Sequence, residues 1–163
     1  MRWLRHMFAP SAQRLFPAAS MDAIAAAVAA SERLHTGQIM VAIETDLTLA
    51  ALWRGHSARQ RALQVFAQLR TWDTAANNGV LIYLLLADRA IEIVADRGLR
   101  SQAPDARWAQ VCKRMQQLLR EGRHQAAVMA GIEEVTELLA EHFTAADRVQ
   151  HEDALPDRPQ LLG

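Results

Sequence analysis

The sequence has a single cysteine, Cys112, and a single lysine, Lys113, among 163 residues. One cysteine excludes any disulfide within the chain. That fits a reducing compartment, and the helical neighbours of Cys112 make it a core thiol without an evident base beside it. Long apolar runs are also missing. The most strongly apolar one, Val80–Leu86, falls far short of the ~20 residues a bilayer-spanning helix needs. Met1–Pro10 carries arginines but no apolar segment of signal-peptide type. The expectation is therefore a cytoplasmic protein that is not integral to a membrane. There is no phosphate-binding Gly-rich loop, no paired CxxC, no HExxH and no GxSxG nucleophile motif. Acids and bases balance at 18 each. Such a balance leaves no nucleic-acid footprint, and an apolar fraction of 51% excludes wholesale disorder.

What is present suits one domain, in which about two-thirds of the extended surface is buried at this size. Its central stretch is 72–98. Val80–Leu86 reads as a strand buried on both faces. Ala87-Asp88-Arg89-Ala90 interrupts it, and Ile91–Ala95 resumes with β-branched residues, the pattern of a hairpin. The alternative, one bent buried helix, is opposed by Asn78-Gly79 before it and Gly98 after it.

Residues 1–19 read as a basic amphipathic arm, 20–143 as the domain and 144–163 as a loose tail docked by Leu155 or Leu161 at most. Arg2, Arg5 and Arg14 charge the first twenty residues without any acid. Ser20 is the expected cap of an alanine-rich helix over Met21–Leu34. Ile39–Ile43 follows as a strand. Leu47–Gly55 is ambiguous between a short helix and an extended edge. Ser57 opens a helix to about Arg70. After Pro104 come two helices. One has the stripe Trp108, Val111, Cys112, Met115, Leu118 and Leu119, and the other spans about Gln125–Phe143.

A strand–helix–strand unit makes Ile39–Ile43 and Val80–Leu86 parallel, and the hairpin makes Ile91–Ala95 antiparallel. That topology gathers Glu32, His35, Thr36, Asp73, Asn77, Asn78, Asp96 and Arg97 at one end of the sheet, and Glu44, Asp46 and Asp88 at the other. At the first end, Glu32, Asp73 and Asp96 supply hard oxygen ligands for a divalent cation, Ca²⁺ or Mg²⁺. Arg97, with Asn77 and Asn78, suits a phosphate or carboxylate substrate. His35, Asp73 and Arg97 are the candidate catalytic set, His35 as acid or base. The plainer alternative keeps Asp73 and Asn78 as turn residues, Asp96-Arg97 as an ion pair and His35 as a helix cap. Glu133, Glu134, Glu137 and Glu141 beside His142 read as a solvated helix face.

Ser31-Glu32 … His35-Thr36-Gly37-Gln38-Ile39, Arg61-Ala62 … Phe66, Trp72-Asp73-Thr74, Asn78–Tyr83, Asp88-Arg89, Glu92–Gly98 and Trp108 resemble the TPM domain family. That family includes the thylakoid-lumen acid phosphatase type, and the likeness is to a short cytoplasmic bacterial branch, over about residues 20–143. The resemblance implies an α/β/α sandwich around a small mixed sheet. It implies either of two activities: a binding or accessory module for a membrane-associated partner, LemA-type proteins among them, or a metal-assisted phosphoester hydrolase. Exported members carry a signal sequence and a C-terminal membrane segment that this chain does not display, and a second glycine where this chain has Asp96-Arg97.

Overall fold

Every residue of the strand Gly79–Leu85 is buried, because helices cover both faces of the sheet it belongs to. The computed structural model describes residues 1–147 and 155–162. In chain order the elements are α1 (Arg2–Met7), α2 (Ala12–Leu15), α3 (Ala18–Ser31), β1 (Gln38–Glu44), α4 (Leu49–Trp53), α5 (Ala58–Gln68), β2 (Gly79–Leu85), β3 (Ala90–Ala95), α6 (Arg97–Arg100), α7 (Asp105–Arg120), α8 (His124–His142), a 3₁₀ turn at Ala145–Asp147 and β4 (Gln160–Leu162).

The sheet order is β3-β2-β1-β4. β1 and β2 are parallel, with Ile39 opposite Val80 and Ala42 opposite Tyr83. β2 and β3 are antiparallel, with Ile82 opposite Ile93. The mixed sheet with a parallel unit and an antiparallel hairpin is thus the one the sequence implied. Side chains alternate along a strand, so the two apolar layers separate by parity. Ile39, Val41, Ile43, Val80, Ile82 and Leu84 pack under α3, α7 and α8. Met40, Ala42, Leu81, Tyr83 and Leu85 pack against Ala62 and Val65 of α5, with Leu47 and Leu155. This is an α/β/α sandwich.

Several boundaries differ from the sequence reading, each for a physical reason. α3 begins at Ala18, not Met21, because Pro17 serves as its N-cap and its carbonyl accepts the Met21 amide at 3.1 Å. Leu47–Gly55 resolves as α4, whose N-cap Thr48 accepts the Ala51 amide. α5 starts as expected, with a capping box between Ser57 and Gln60. The four-residue α6 carries no periodic pattern long enough to announce it. The tail is the largest correction. Leu155 is buried, the docking that was expected of it, but Gln160–Leu162 is a strand paired parallel with Ala42–Glu44. The outer edge of β1 otherwise carries unpaired backbone groups, which a three-residue segment between prolines and glycine satisfies. The part of the expected tail between the 3₁₀ turn and Leu155 lies outside the described residues. Among the described residues no helix is long and apolar enough to cross a membrane.

Candidate functional site

At the end of the sheet where β1 and β2 begin, β3 passes directly into α6 through Asp96. The Asp96 Oδ1 atom accepts the Arg97 amide at 2.7 Å and caps the helix. Its Oδ2 atom is buried and has no hydrogen-bond partner among the described residues. The loop before β2 lies against this turn. A Cβ on Gly98 would sit 2.6 Å from the carbonyl oxygens of Ala76 and Asn77, so only glycine allows the approach. The Gly98 amide donates to the Asn77 carbonyl at 2.9 Å. Asn77, with φ of 50°, turns its side chain so that Oδ1 accepts from the exposed Arg97 guanidinium at 3.3 Å. Asn78 is buried. Its side-chain amide donates to Thr36 Oγ1 at 3.4 Å, and its carbonyl accepts from the Gln38 amide at 3.4 Å.

The structure therefore brings Asn77, Asp96 and Arg97 together, and joins Asn78 to Thr36. It places the other three expected site residues differently. Glu32 is buried, and its Oε1 atom accepts the Ile39 amide at 2.9 Å, tying the end of α3 to β1. His35 is fully buried, with Nε2 against Ser31 Oγ at 2.9 Å and Nδ1 against the Gly37 carbonyl at 3.1 Å. Asp73 faces solvent and pairs with Arg70 at 2.7 Å. Among the described residues no three His, Cys, Asp or Glu side chains are grouped so as to hold a metal ion; Glu32, Asp73 and Asp96 are no exception. The α8 acids pair with arginines of α7, Glu134 with Arg114 and Glu141 with Arg107.

The opposite end of the sheet holds the most buried charge. Glu44 points into the layer beneath α5, where both its oxygens bond Arg61, at 2.8 and 2.9 Å. The Tyr83 hydroxyl donates to the same carboxylate. Burial first, and the Glu44 bond second, push the Tyr83 phenol far above its ordinary range. The Glu44 carboxylate raises Arg61 against an opposing effect of burial. The second cluster centres on Asp88 in the β2–β3 turn, which accepts from Arg2 at 2.7 Å and from His6 Nε2 at 3.1 Å. The other ring nitrogen of His6 accepts the Leu47 amide at 2.9 Å, so Nε2 carries the proton given to Asp88. Burial alone would raise the Asp88 carboxyl, but the Arg2 and His6 bonds outweigh it and hold it low. Cys112 is pushed up to about 11, chiefly by burial, so it is a weak nucleophile at neutral pH.

Sequence reasoning grouped Glu44 and Asp88 at this end but missed Arg61, Tyr83, Arg2 and His6 as their partners. The one local signal was Arg61, an arginine beside Ala62 on the inner face of α5.

The sequence profile of a family described as the TPM domain matches residues 11–138. The BA42 protein of the psychrophilic bacterium Bizionia argentinensis has a similar solution structure. It is 26% identical, with a TM-score of 0.75 over 90% of this chain and 94% of that one. The N-terminal domain of a P. gingivalis protein shares the fold at 18% identity, with a TM-score of 0.64 over 86% of each chain. No curated protein matches the chain.

Proposed function

The chain belongs to the TPM domain family, and from that premise we propose that it is a binding or accessory module rather than a hydrolase. Its ligand edge is Asn77, Asn78, Asp96 and Arg97, and its partner is a membrane-associated protein of LemA type met from the cytoplasmic side. One observation carries this reading. The groups best suited to acid–base work are engaged in holding the fold together, His35 and Glu32 under α3 and Glu44 under α5. The exposed Arg97 guanidinium beside Asn77 Oδ1 is left facing solvent. A guanidinium so placed takes a phosphate or carboxylate by charge-assisted hydrogen bonds.

The test is an amide-resolved NMR titration of the whole chain with inorganic phosphate, and separately with Ca²⁺ and Mg²⁺. Shifts confined to 77–79 and 96–98, and lost in Arg97→Ala, support the reading. Unmoved amides there at millimolar ligand reject it. Recovery of a LemA-type protein in a pull-down tests the partner, and its absence in both detergent and native membranes counts against it.

A second reading, metal-assisted phosphoester hydrolysis, draws on one feature: the buried Asp96 Oδ2, which has no partner among the described residues. A carboxylate oxygen of that kind is a hard ligand for a divalent cation, and a bound cation would activate water and offset phosphate charge. In this reading Asp73 supplies a further ligand by leaving Arg70. Turnover of an aryl phosphate that is lost in Asp73→Ala and Asp96→Ala supports it. Turnover that both variants retain belongs to a contaminant.

A further inference from the structure

The sheet end opposite the ligand edge carries an apolar surface that the fold itself does not use. Arg2 and His6, one helical turn apart on α1, are pinned to Asp88, and the His6 ring also holds the Leu47 amide just ahead of α4. These bonds fix α1 beside α4 and turn a different face of each helix outward. Trp3 and Met7 of α1, 46% and 56% exposed, meet Leu49 and Trp53 of α4, 59% and 90% exposed. Together with Arg2 and Leu52 they line a shallow concavity of about 580 Å³. Leu4 and Phe8 extend the exposed apolar surface along α1, and α4 has no buried residue. Single exposed apolar side chains are ordinary, but a contiguous group of this size marks an interaction surface.

Among the described residues, the exposed charge around the group is mainly positive. Arg5, Arg14 and Arg54 are exposed, and the first twenty residues contain no acid. Of the nearby acids, Asp88 is already met by Arg2 and His6, with Arg5 at 4.0 Å, which leaves Asp46 as the exposed one ahead of α4. We infer that α1 and α4 form a docking surface for an anionic lipid bilayer, with Trp3, Met7, Leu49 and Trp53 entering the headgroup–acyl boundary and Arg5 and Arg54 meeting lipid phosphates.

Tryptophan and arginine at one level are what that boundary takes: the indole is apolar with a polar edge, and the guanidinium snorkels to the headgroups. A protein partner needs a shape that complements the protruding Trp53. A fluid bilayer adapts to it. Lipid binding here requires neither the ligand edge at Asn77 and Arg97 nor the protein partner proposed above, so each can fail without the other.

The test is co-sedimentation of the whole chain with vesicles of phosphatidylglycerol and phosphatidylcholine, beside vesicles of phosphatidylcholine alone. The expected result is binding to the anionic vesicles that weakens with salt. Arg5→Glu/Arg54→Glu should lower it by more than about 25-fold, at roughly fivefold for each arginine lost near such a surface. Trp3→Ala/Trp53→Ala should lower it at least tenfold, since each indole removed forfeits apolar area buried in the boundary. Thermal melts of the variants confirm that they fold. Because Arg5 lies 4.0 Å from Asp88, Arg54→Glu alone, expected to melt with the parent and to lower binding at least about fivefold, separates lost lipid contact from a loosened α1. The absence of vesicle binding overturns the assignment, as does equal binding by parent and variants. Light scattering supplies a third refutation: a dimer broken by Trp3→Ala/Trp53→Ala, without vesicle binding, would make the occupant a second copy of the chain.

Discussion

Replacing Glu44 by leucine leaves two polar groups stranded under α5. The carboxylate side chain is 7% exposed and its Arg61 partner 20% exposed, and Tyr83 has no exposure at all. Removing one member of a buried ion pair costs about 3–5 kcal/mol, because the other charge stays desolvated and unpaired. Arg61 retains some contact with water, which places the cost near the lower end, about 3 kcal/mol. For a chain of this size that lowers the melting temperature by roughly 6–12 °C, at 2–4 °C per kcal/mol. Tyr83→Phe removes one hydrogen bond but leaves the ion pair intact, for about 1–2 kcal/mol. The variant that decides the cause is the triple Glu44→Leu/Arg61→Met/Tyr83→Phe. It buries no stranded group, and apolar replacement of a whole buried network is close to neutral. Urea unfolding followed by circular dichroism gives all three values. A triple variant no more stable than Glu44→Leu alone would refute the reasoning, because the loss would then come from packing and not from unpaired charge.

The phenol of Tyr83, ordinarily titrating at 10.0, is raised by burial. A raised folded value means its stabilisation is complete below pH 10.0 and fades as pH rises through the folded value. Alkaline unfolding should therefore be steeper in the parent than in Tyr83→Phe, read from urea midpoints at successive pH values; equal slopes would argue against it. Asp88 behaves oppositely. Its folded value lies below 3.8, so its contribution is complete above that pH and is lost as pH falls through the lower value. Asp88→Asn should free α1 at neutral pH, seen as faster amide exchange at Leu47 with β2 still protected; an unchanged Leu47 rate would place the anchor elsewhere. Gly79→Ala puts a methyl 1.9 Å from the Thr71 carbonyl oxygen, a backbone atom that cannot step aside, and should cost at least about 2 kcal/mol in urea unfolding. Cys112, raised from 9.0 to about 11, should alkylate on the order of a hundredfold more slowly at pH 8 than an ordinary thiol, measured with iodoacetamide; full-speed labelling would mean that the α7 thiol is open to solvent.

Much of the frame was legible in local pattern. The nearly continuous run Val80–Leu86 named the central strand, and the polar break at Asp88-Arg89 named the hairpin. The stripes of α7 and α8 and the Ser57 cap of α5 were equally plain, because periodicity and capping act over a few residues. The gathering of Asn77, Asp96 and Arg97 also followed, since strand direction alone brings those ends together. The inward turn of Glu32 and His35 did not. Whether a carboxylate faces solvent or an amide such as that of Ile39 depends on how α3 closes onto β1, and sequence spacing does not encode that angle. β4 was hidden for a similar reason. Three residues have no period, and what makes them a strand is the open edge of β1.

The sequence by itself determined the layers. Parity along β1 and β2, helical stripes on α3, α5, α7 and α8 and the turn residues between them are short-range facts, and together they call for helices on both faces of a buried sheet. Tertiary structure alone decided which charges are internal and which face outward. Glu44 meets Arg61, 17 positions away, and Asp88 meets Arg2, 86 positions away; both pairings exist because desolvated charge must find a partner within the packed layers. The same packing turned Trp3 and Trp53 to solvent, since α1 is held by the polar face that reaches Asp88. Its apolar face is left for something outside the chain.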